Sequence, residues 1–300
     1  MEPTHRTARL PWGEVSYLEW LPETPGSASV IVLLHGGGLD SAMLSWGATG
    51  GELAAAGHRV IAPDAPGYGH SPSAPWPATH DRLVEHVDAF TRAIGLDRYA
   101  LAGLSMGGGL TLGHTFAHPE RVRGAILIGT FGIMDHQQQG LWKRPWHLLT
   151  WAMTHTGLMG LTMRAYAKRG PALRSSLRGI IRNEANITPA LMAGILDEAE
   201  RGTGLAAFDQ WQRDQIRFGR LRTNLMPRLH TFPRPALVLH GEHDTGVPVA
   251  LARQAAERMP DARFVEVADA GHWTQRDVPE VVVPAMLAFL GELAAADEER

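Results

Sequence analysis

The sequence predicts an α/β protein in which a mostly parallel sheet carries helices on both faces and is interrupted once by a long helical insert. Three observations point there. Unbroken aliphatic and β-branched runs, such as Val30-Ile31-Val32-Leu33-Leu34 and Ala125-Ile126-Leu127-Ile128, read as strands buried on both faces. Stretches with helical spacing separate such runs, as in Leu83, Val84, Val87, Phe90 and Ile94. The alternation stops between Phe131 and Phe232, where helical stretches follow one another without a buried strand, and resumes at Ala236.

Taken in order, Thr7 to Leu10 and Val15 to Trp20 read as antiparallel edge strands joined by a hairpin turn, followed by a turn from Pro22 to Gly26. The strand Val30 to Leu34 runs into His35-Gly36-Gly37-Gly38. A helical stretch near Gly51 to Ala56 precedes a strand from Arg59 to Pro63. Asp64-Ala65-Pro66-Gly67-Tyr68-Gly69-His70-Ser71 then reads as a rigid turn whose Asp64 hydrogen-bonds local backbone. The helix over 81–94 stops at Gly95 and leads to the strand Tyr99 to Ala102, a helix from Ser105 to the Pro119 turn, and the strand Ala125 to Gly129. Insert helices are expected over 141–156, 158–168, 172–183, 188–200 and 204–218, the fourth opened by a capping Thr188 and a first-turn Pro189. A strand from Ala236 to His240, a helix from Val249 to Arg258, a strand from Arg263 to Val267 and a helix from Glu280 to Leu293 complete the chain.

Three hundred residues, 44% hydrophobic and 20% charged, suffice for one large core. The longest aliphatic run, Val30 to Leu34, cannot cross a bilayer, so no membrane partner is expected, and a formal net charge of -3 argues against a nucleic-acid partner. A polar N-terminus and the absence of cysteine point to a cytoplasmic location. The charge is uneven: residues 131–232 hold 14 Lys and Arg against 7 Asp and Glu, or +7, leaving -10 elsewhere. That excess is either a solvated surface or a field that attracts an anionic substrate. His114 and His118 stand four apart on a helix but lack the glutamate of a zinc-protease motif, so no metal and no cofactor is expected.

Gly103-Leu104-Ser105-Met106-Gly107 carries the chemistry. It joins a buried strand to a helix, and glycines two residues either side of Ser105 permit a turn too tight for side chains. The Ser105 oxygen then projects from the sheet edge, and the Met106 amide opens a helix toward any charge developing beside it. Gly37, in the glycine run at the same edge, is the expected second oxyanion donor. Asp244 and His272 also follow strand ends, where parallel sheets place their sites. Serine is too weakly acidic to attack a carbonyl unaided. His272 is expected to take its proton, and Asp244 to fix the imidazole tautomer and stabilise its cation.

With His35-Gly36-Gly37-Gly38, Asp64 to Ser71, Gly103 to Gly108, Gly241-Glu242-His243-Asp244 and Gly271-His272-Trp273, the chain resembles the α/β-hydrolase superfamily over nearly its full length. The resemblance implies an eight-stranded core formed by residues 1–130 and 233–300, with a helical cap at 131–232. Asp135 could replace Asp244 as the acid, as in some relatives, but Gly-Glu-His-Asp fits the usual pattern. Gly271-His272-Trp273-Thr274-Gln275 is similar to epoxide hydrolases; these and haloalkane dehalogenases use an aspartate nucleophile, which Ser105 replaces here. Carbon–carbon hydrolases of aromatic ring-cleavage pathways share the glycine-rich segment, Ser-Met-Gly-Gly and Gly-His-Trp, but typically place Asn where this chain has Leu104. Hydrolysis of a carboxylic ester, lactone or thioester is therefore the leading expectation, and cleavage of a vinylogous diketone the alternative. An acyltransferase, a cofactor-free lyase and a ligand receptor are remoter members of the same set.

The expected substrate is a small molecule with an apolar or aromatic arm. Trp142, Trp146, Trp151, Met153, Met159, Met163 and Trp211 enrich the insert in large apolar groups, a minority of which should line the pocket. Gly38 and Trp273 are further binding candidates beside the expected site. Arg174, Arg178 and Arg182 recur every four residues, and one of these, or Arg164, is the candidate partner for a substrate carboxylate, with Arg178 and Arg164 as the site candidates.

Overall fold

The computed structural model describes residues 1–23, 29–167 and 169–298. Gly26, which ends the expected Pro22-to-Gly26 turn, lies outside the described residues. Among the described residues ten strands form in chain order: β1 (Thr4–Leu10), β2 (Gly13–Trp20), β3 (Val30–Leu34), β4 (Arg59–Pro63), β5 (Tyr99–Leu104), β6 (Val122–Ile128), β7 (Ile216–Arg217), β8 (Arg220–Leu221), β9 (Ala236–Gly241) and β10 (Ala262–Val267). Eight make one sheet in the order β1-β2-β4-β3-β5-β6-β9-β10, antiparallel in β1-β2-β4 and parallel from β4 onward.

Alternation within the parallel strands explains the two covered faces. Ile31, Leu33, Ala100, Ala102, Ile126, Ile128, Leu237 and Leu239 pack with α1 (Ala42–Ala55) and with α11 (Pro279–Glu298). On the opposite face Val32, Leu34 and Leu101 meet α2 (His80–Ala93) and α3 (Met106–Ala117), while Ala125, Leu127, Ala236 and Val238 meet α9 (Val249–Arg258). A strand buried on both faces needs apolar residues at every position, which is what made these runs legible.

Helix α1 begins at Ala42, well before the expected Gly51. The Ser41 hydroxyl caps it by accepting from the Leu44 amide. Its adjacent glycines Gly50 and Gly51 belong there for packing reasons: a Cβ on Gly50 would sit 2.8 Å from the Trp20 ring, and one on Gly51 would sit 2.7 Å from the Met1 carbonyl oxygen. By length and composition α11 could cross a membrane. In this molecule Val282, Val283, Met286, Phe289, Leu290 and Leu293 are buried, most of them against the sheet.

Between β6 and β9 lie α4 (Lys143–Thr156), α5 (Leu158–Ala167), α6 (Gly170–Ile180), α7 (Pro189–Arg201) and α8 (Thr203–Gln215). Thr188 caps α7 as expected, its hydroxyl accepting from the Leu191 amide. The β7–β8 hairpin was not expected; two-residue strands leave no periodicity to read. Asp277, in the short helix α10 (Thr274–Asp277), ties insert to core: its carboxylate accepts from Gly271 at 2.6 Å, Arg182 at 2.9 Å and Asn183 at 2.8 Å.

Candidate active site

The register brings four loop starts to one edge. Leu34 pairs with Gly103, Leu104 with Ile128, and Ile128 with Leu239, so β3, β5, β6 and β9 end nearly level. Ser105 follows β5 directly and has φ 52 and ψ -113, a left-handed conformation that costs an L-residue energy and persists because its surroundings enforce it. Its amide donates to Ile128 O at 2.9 Å, and its carbonyl accepts from Gly109 and Phe131. The flanking glycines are steric requirements. A Cβ on Gly103 would lie 2.2 Å from Gly107 O, and one on Gly107 would lie 2.3 Å from Leu34 O.

Asp244 and His272 meet across the loops after β9 and β10, with His272 Nδ1 2.8 Å from Asp244 Oδ2. The Asp244 side chain is fully buried and has four donors. Gly246 and Val247 amides reach Oδ1 at 2.7 and 2.9 Å, and His272 and His240 reach Oδ2. Burial alone would raise its pKa, but the His272 charge and these hydrogen bonds hold it far below the carboxylate range. For His272, burial opposes the imidazolium, and the Asp244 charge and hydrogen bond outweigh it, so its pKa lies above 6.5. With Nδ1–H on Asp244, the Nε2 lone pair is the ring's free base.

His240 was missed in the sequence. Its Nε2 lies 2.8 Å from Val247 O and 3.2 Å from Asp244 Oδ2. Both are acceptors, so Nε2 carries the proton, and His240 supports Asp244 from beneath. Its position in the apolar strand β9 concealed it. Asp135 is remote from this pair, engaged with His136 at 3.0 Å and Lys143 at 3.6 Å. His114 is a core residue bonded to Tyr99 Oη at 2.7 Å.

At the facing edge Met106 is the first residue of α3, so its amide has no intrahelical partner. The glycine loop between β3 and α1 is held by buried Asp40, which accepts from the Gly36 and Ser41 amides and the Ser45 hydroxyl, each at 2.7 Å. His35 accepts from Ala65 N through Nε2, so its Nδ1 carries the proton donated to Gly36 O at 2.7 Å. Asp64 bonds local backbone through the His70 amide, as the sequence indicated, and also accepts from the distant Ala42 amide at the start of α1. Phe208 of α8 covers Gly37: a Cβ there would be 2.4 Å from its ring.

One cavity of about 630 Å³ reaches Ser105, His272, Gly37, Gly38, Met106 and Trp273. The insert forms its far wall with Trp146, Met159, Met163 and Trp211, four of the seven large groups singled out in the sequence and more than the minority expected. Trp142, Trp151 and Met153 are outside it. Polar contacts come from Gln137, Gln138, Thr150, Tyr166, Ser176, Gln212 and Thr245. Among the described residues no lysine or arginine lines it. The two arginine candidates are thereby corrected: Arg178 is 52% exposed and paired with Glu184 at 3.0 Å, and Arg164 is exposed on α5. Both turn outward because water solvates a guanidinium better than this apolar cavity does.

An open α/β sheet with a strained serine and a buried histidine–aspartate pair at its carboxyl edge defines a hydrolase class. The chain belongs to the alpha/beta hydrolase fold family, which matches residues 29–278. It is 29% identical over 283 residues to 2-hydroxy-6-oxo-6-(2'-aminophenyl)hexa-2,4-dienoic acid hydrolase of Metapseudomonas resinovorans, covering 94% of this chain and 89% of that one. It is 28% identical to 2-hydroxymuconate semialdehyde hydrolase of Pseudomonas putida, over 90% of each chain. Among solved structures, a meta-cleavage product hydrolase from Pseudomonas fluorescens superimposes with a TM-score of 0.77 at 20% identity, over 96% of this chain and 97% of that one. A carboxylesterase from Bacillus subtilis does so at 0.71 and 22%, over 97% and 92%. At these identities the structural likenesses establish the fold.

Proposed function

We propose that the chain is a serine-dependent hydrolase of a small carbonyl substrate with an apolar or aromatic arm, and that Ser105, His272 and Asp244 are its catalytic residues. The observation that carries this is the strained Ser105 sharing one cavity with a histidine whose Nδ1 is held by a buried carboxylate. Ser105 Oγ attacks the carbonyl carbon while His272 Nε2 takes its proton, and the Gly37 and Met106 amides stabilise the oxyanion. The bond to the leaving group breaks, and His272 returns the proton to that group. Water, deprotonated by His272, then adds to the acyl-enzyme; its collapse releases the acid and restores the serine.

For the bond broken, carbon–carbon cleavage of a vinylogous diketone is the first reading. The relatives at 29% and 28% identity, aligned over nearly whole chains, are hydrolases of a dienoic acid and a muconate semialdehyde, which weighs more than the ester expectation drawn from the sequence. Carbon is a poor leaving group, but conjugation lets it depart as a dienolate. Ester hydrolysis is the second reading, favoured by two features. No cationic side chain among the described residues lines the cavity, and Leu104 is fully buried beneath Gly36, offering no polar group.

A ring-fission dienone acid, its methyl ester and an aryl ester should be incubated with the enzyme in heavy-oxygen water. Carbon–carbon cleavage is expected for the dienone, with one heavy oxygen in the released carboxylate, and turnover of the dienone methyl ester at its ketone should at least equal that of the acid. Aryl-ester turnover with an inert dienone would assign the second reading.

A further inference from the structure

We propose that the outer face of α4 and α5 is a docking surface for an anionic phospholipid bilayer. The segment leading into α4 and the two helices expose large apolar side chains: Leu141 is 98% exposed and Trp142, which precedes the first turn of α4, 77%, while on the helices Leu161 is 65% exposed and Trp146, Leu148, Leu149 and Leu158 are also exposed. Single exposed leucines are ordinary, but a run of this kind on two adjacent helices is a surface waiting to be covered.

The charge around it selects the partner. From His136 to Asn183 the chain has eight Lys and Arg and no Asp or Glu. Among the described residues Arg144, Arg164, Arg169 and Arg182 form no ion pair, and each is exposed. Two copies meeting through this face would bring like charges together, which disfavours a homodimer. A nucleic acid would satisfy the arginines and leave the tryptophans and leucines in water. An anionic bilayer satisfies both, since tryptophan rings and leucines enter the headgroup boundary while lysine and arginine reach lipid phosphates. The same helices supply Trp146, Met159 and Met163 to the cavity wall, so docking sets that wall against the lipid. The sequence expectation of no membrane partner rested on the lack of a spanning run, which does not describe a helix lying in the interface.

The test is co-sedimentation of the full chain with phosphatidylcholine vesicles, with and without about 30% phosphatidylglycerol, at low and high salt. Binding to the anionic vesicles alone is expected, weakening as salt rises. Trp142→Ser/Leu161→Ser should weaken it at least tenfold, and Lys143→Gln/Arg144→Gln by about thirtyfold, at roughly the strength of one surface cation per charge removed. Turnover of a water-soluble substrate should be unchanged in both variants, which separates this surface from the active site. Failure to bind anionic vesicles at low salt would overturn the proposal. So would salt-sensitive binding indifferent to Trp142→Ser/Leu161→Ser, which would assign the face to a polyanion, or a wild-type dimer that this variant dissociates, which would assign it to a second copy.

Discussion

At the scale of single residues, the proposed chemistry depends on one backbone strain and one buried charge. Ser105 occupies a left-handed conformation that exposes its oxygen, so Ser105→Ala should fold normally and lose on the order of 10⁶-fold in kcat while substrate still binds, as a kinetic comparison of the purified proteins would show. The pH profile follows from the His272–Asp244 pair. In the proposed mechanism neutral imidazole is the base, and the carboxylate raises the His272 pKa over that of an ordinary histidine. Lowering the pH through that raised value protonates the base, so kcat/KM in the free enzyme should fall with a midpoint higher than an unperturbed histidine would give. A profile level to about pH 5 would exclude His272 as the base. These three residues were legible because each requires its side-chain type just past a strand. His240, Asp40 and Phe208 were not, because their roles arise from contacts between distant segments and no local pattern marks them.

Among the elements, the parallel strands were the most readable, since burial on both faces demands continuous apolar sequence. Helix starts were less so: α1 was read from its second half, because the Gly50–Gly51 pair that disguises it is there to admit Trp20 and Met1. Of the arginine stripe expected over 172–183, α6 carries Arg174 and Arg178 and ends at Ile180 before Arg182, and the direction of the two it carries was not legible. Periodicity gives the face a residue shares, and only the tertiary structure sets which face meets the cavity. The short helix α10 shows how elements are tied together, because Asp277 holds Gly271, next to His272, along with Arg182 and Asn183 of the insert. Asp277→Ala leaves these three amides without their acceptor and should destabilise the protein by about 3 kcal/mol or more. Thermal unfolding would report this as a Tm lowered by roughly 6 °C. An unchanged Tm would mean that the insert is held by its apolar contacts alone.

For the molecule as a whole, the sheet brings together residues 139 and 28 positions apart in the chain, Ser105 to Asp244 and Asp244 to His272. An apolar cavity then closes over them. The sequence disclosed this architecture through the break in alternation at Phe131 and its return at Ala236. It did not disclose the cavity's charge, because a basic insert can point every cation outward. Assembly of the three residues makes a measurable difference, since a serine hydroxyl gains nucleophilicity only beside an oriented base and an oxyanion site. The most direct measurement is labelling with a fluorophosphonate followed by peptide mapping. The native protein should carry one phosphonyl group, on Ser105, and labelling should be abolished in Ser105→Ala and severely slowed in Asp244→Asn. Labelling at another residue, or none on a folded and catalytically active protein, would contradict the assignment of Ser105 as the nucleophile.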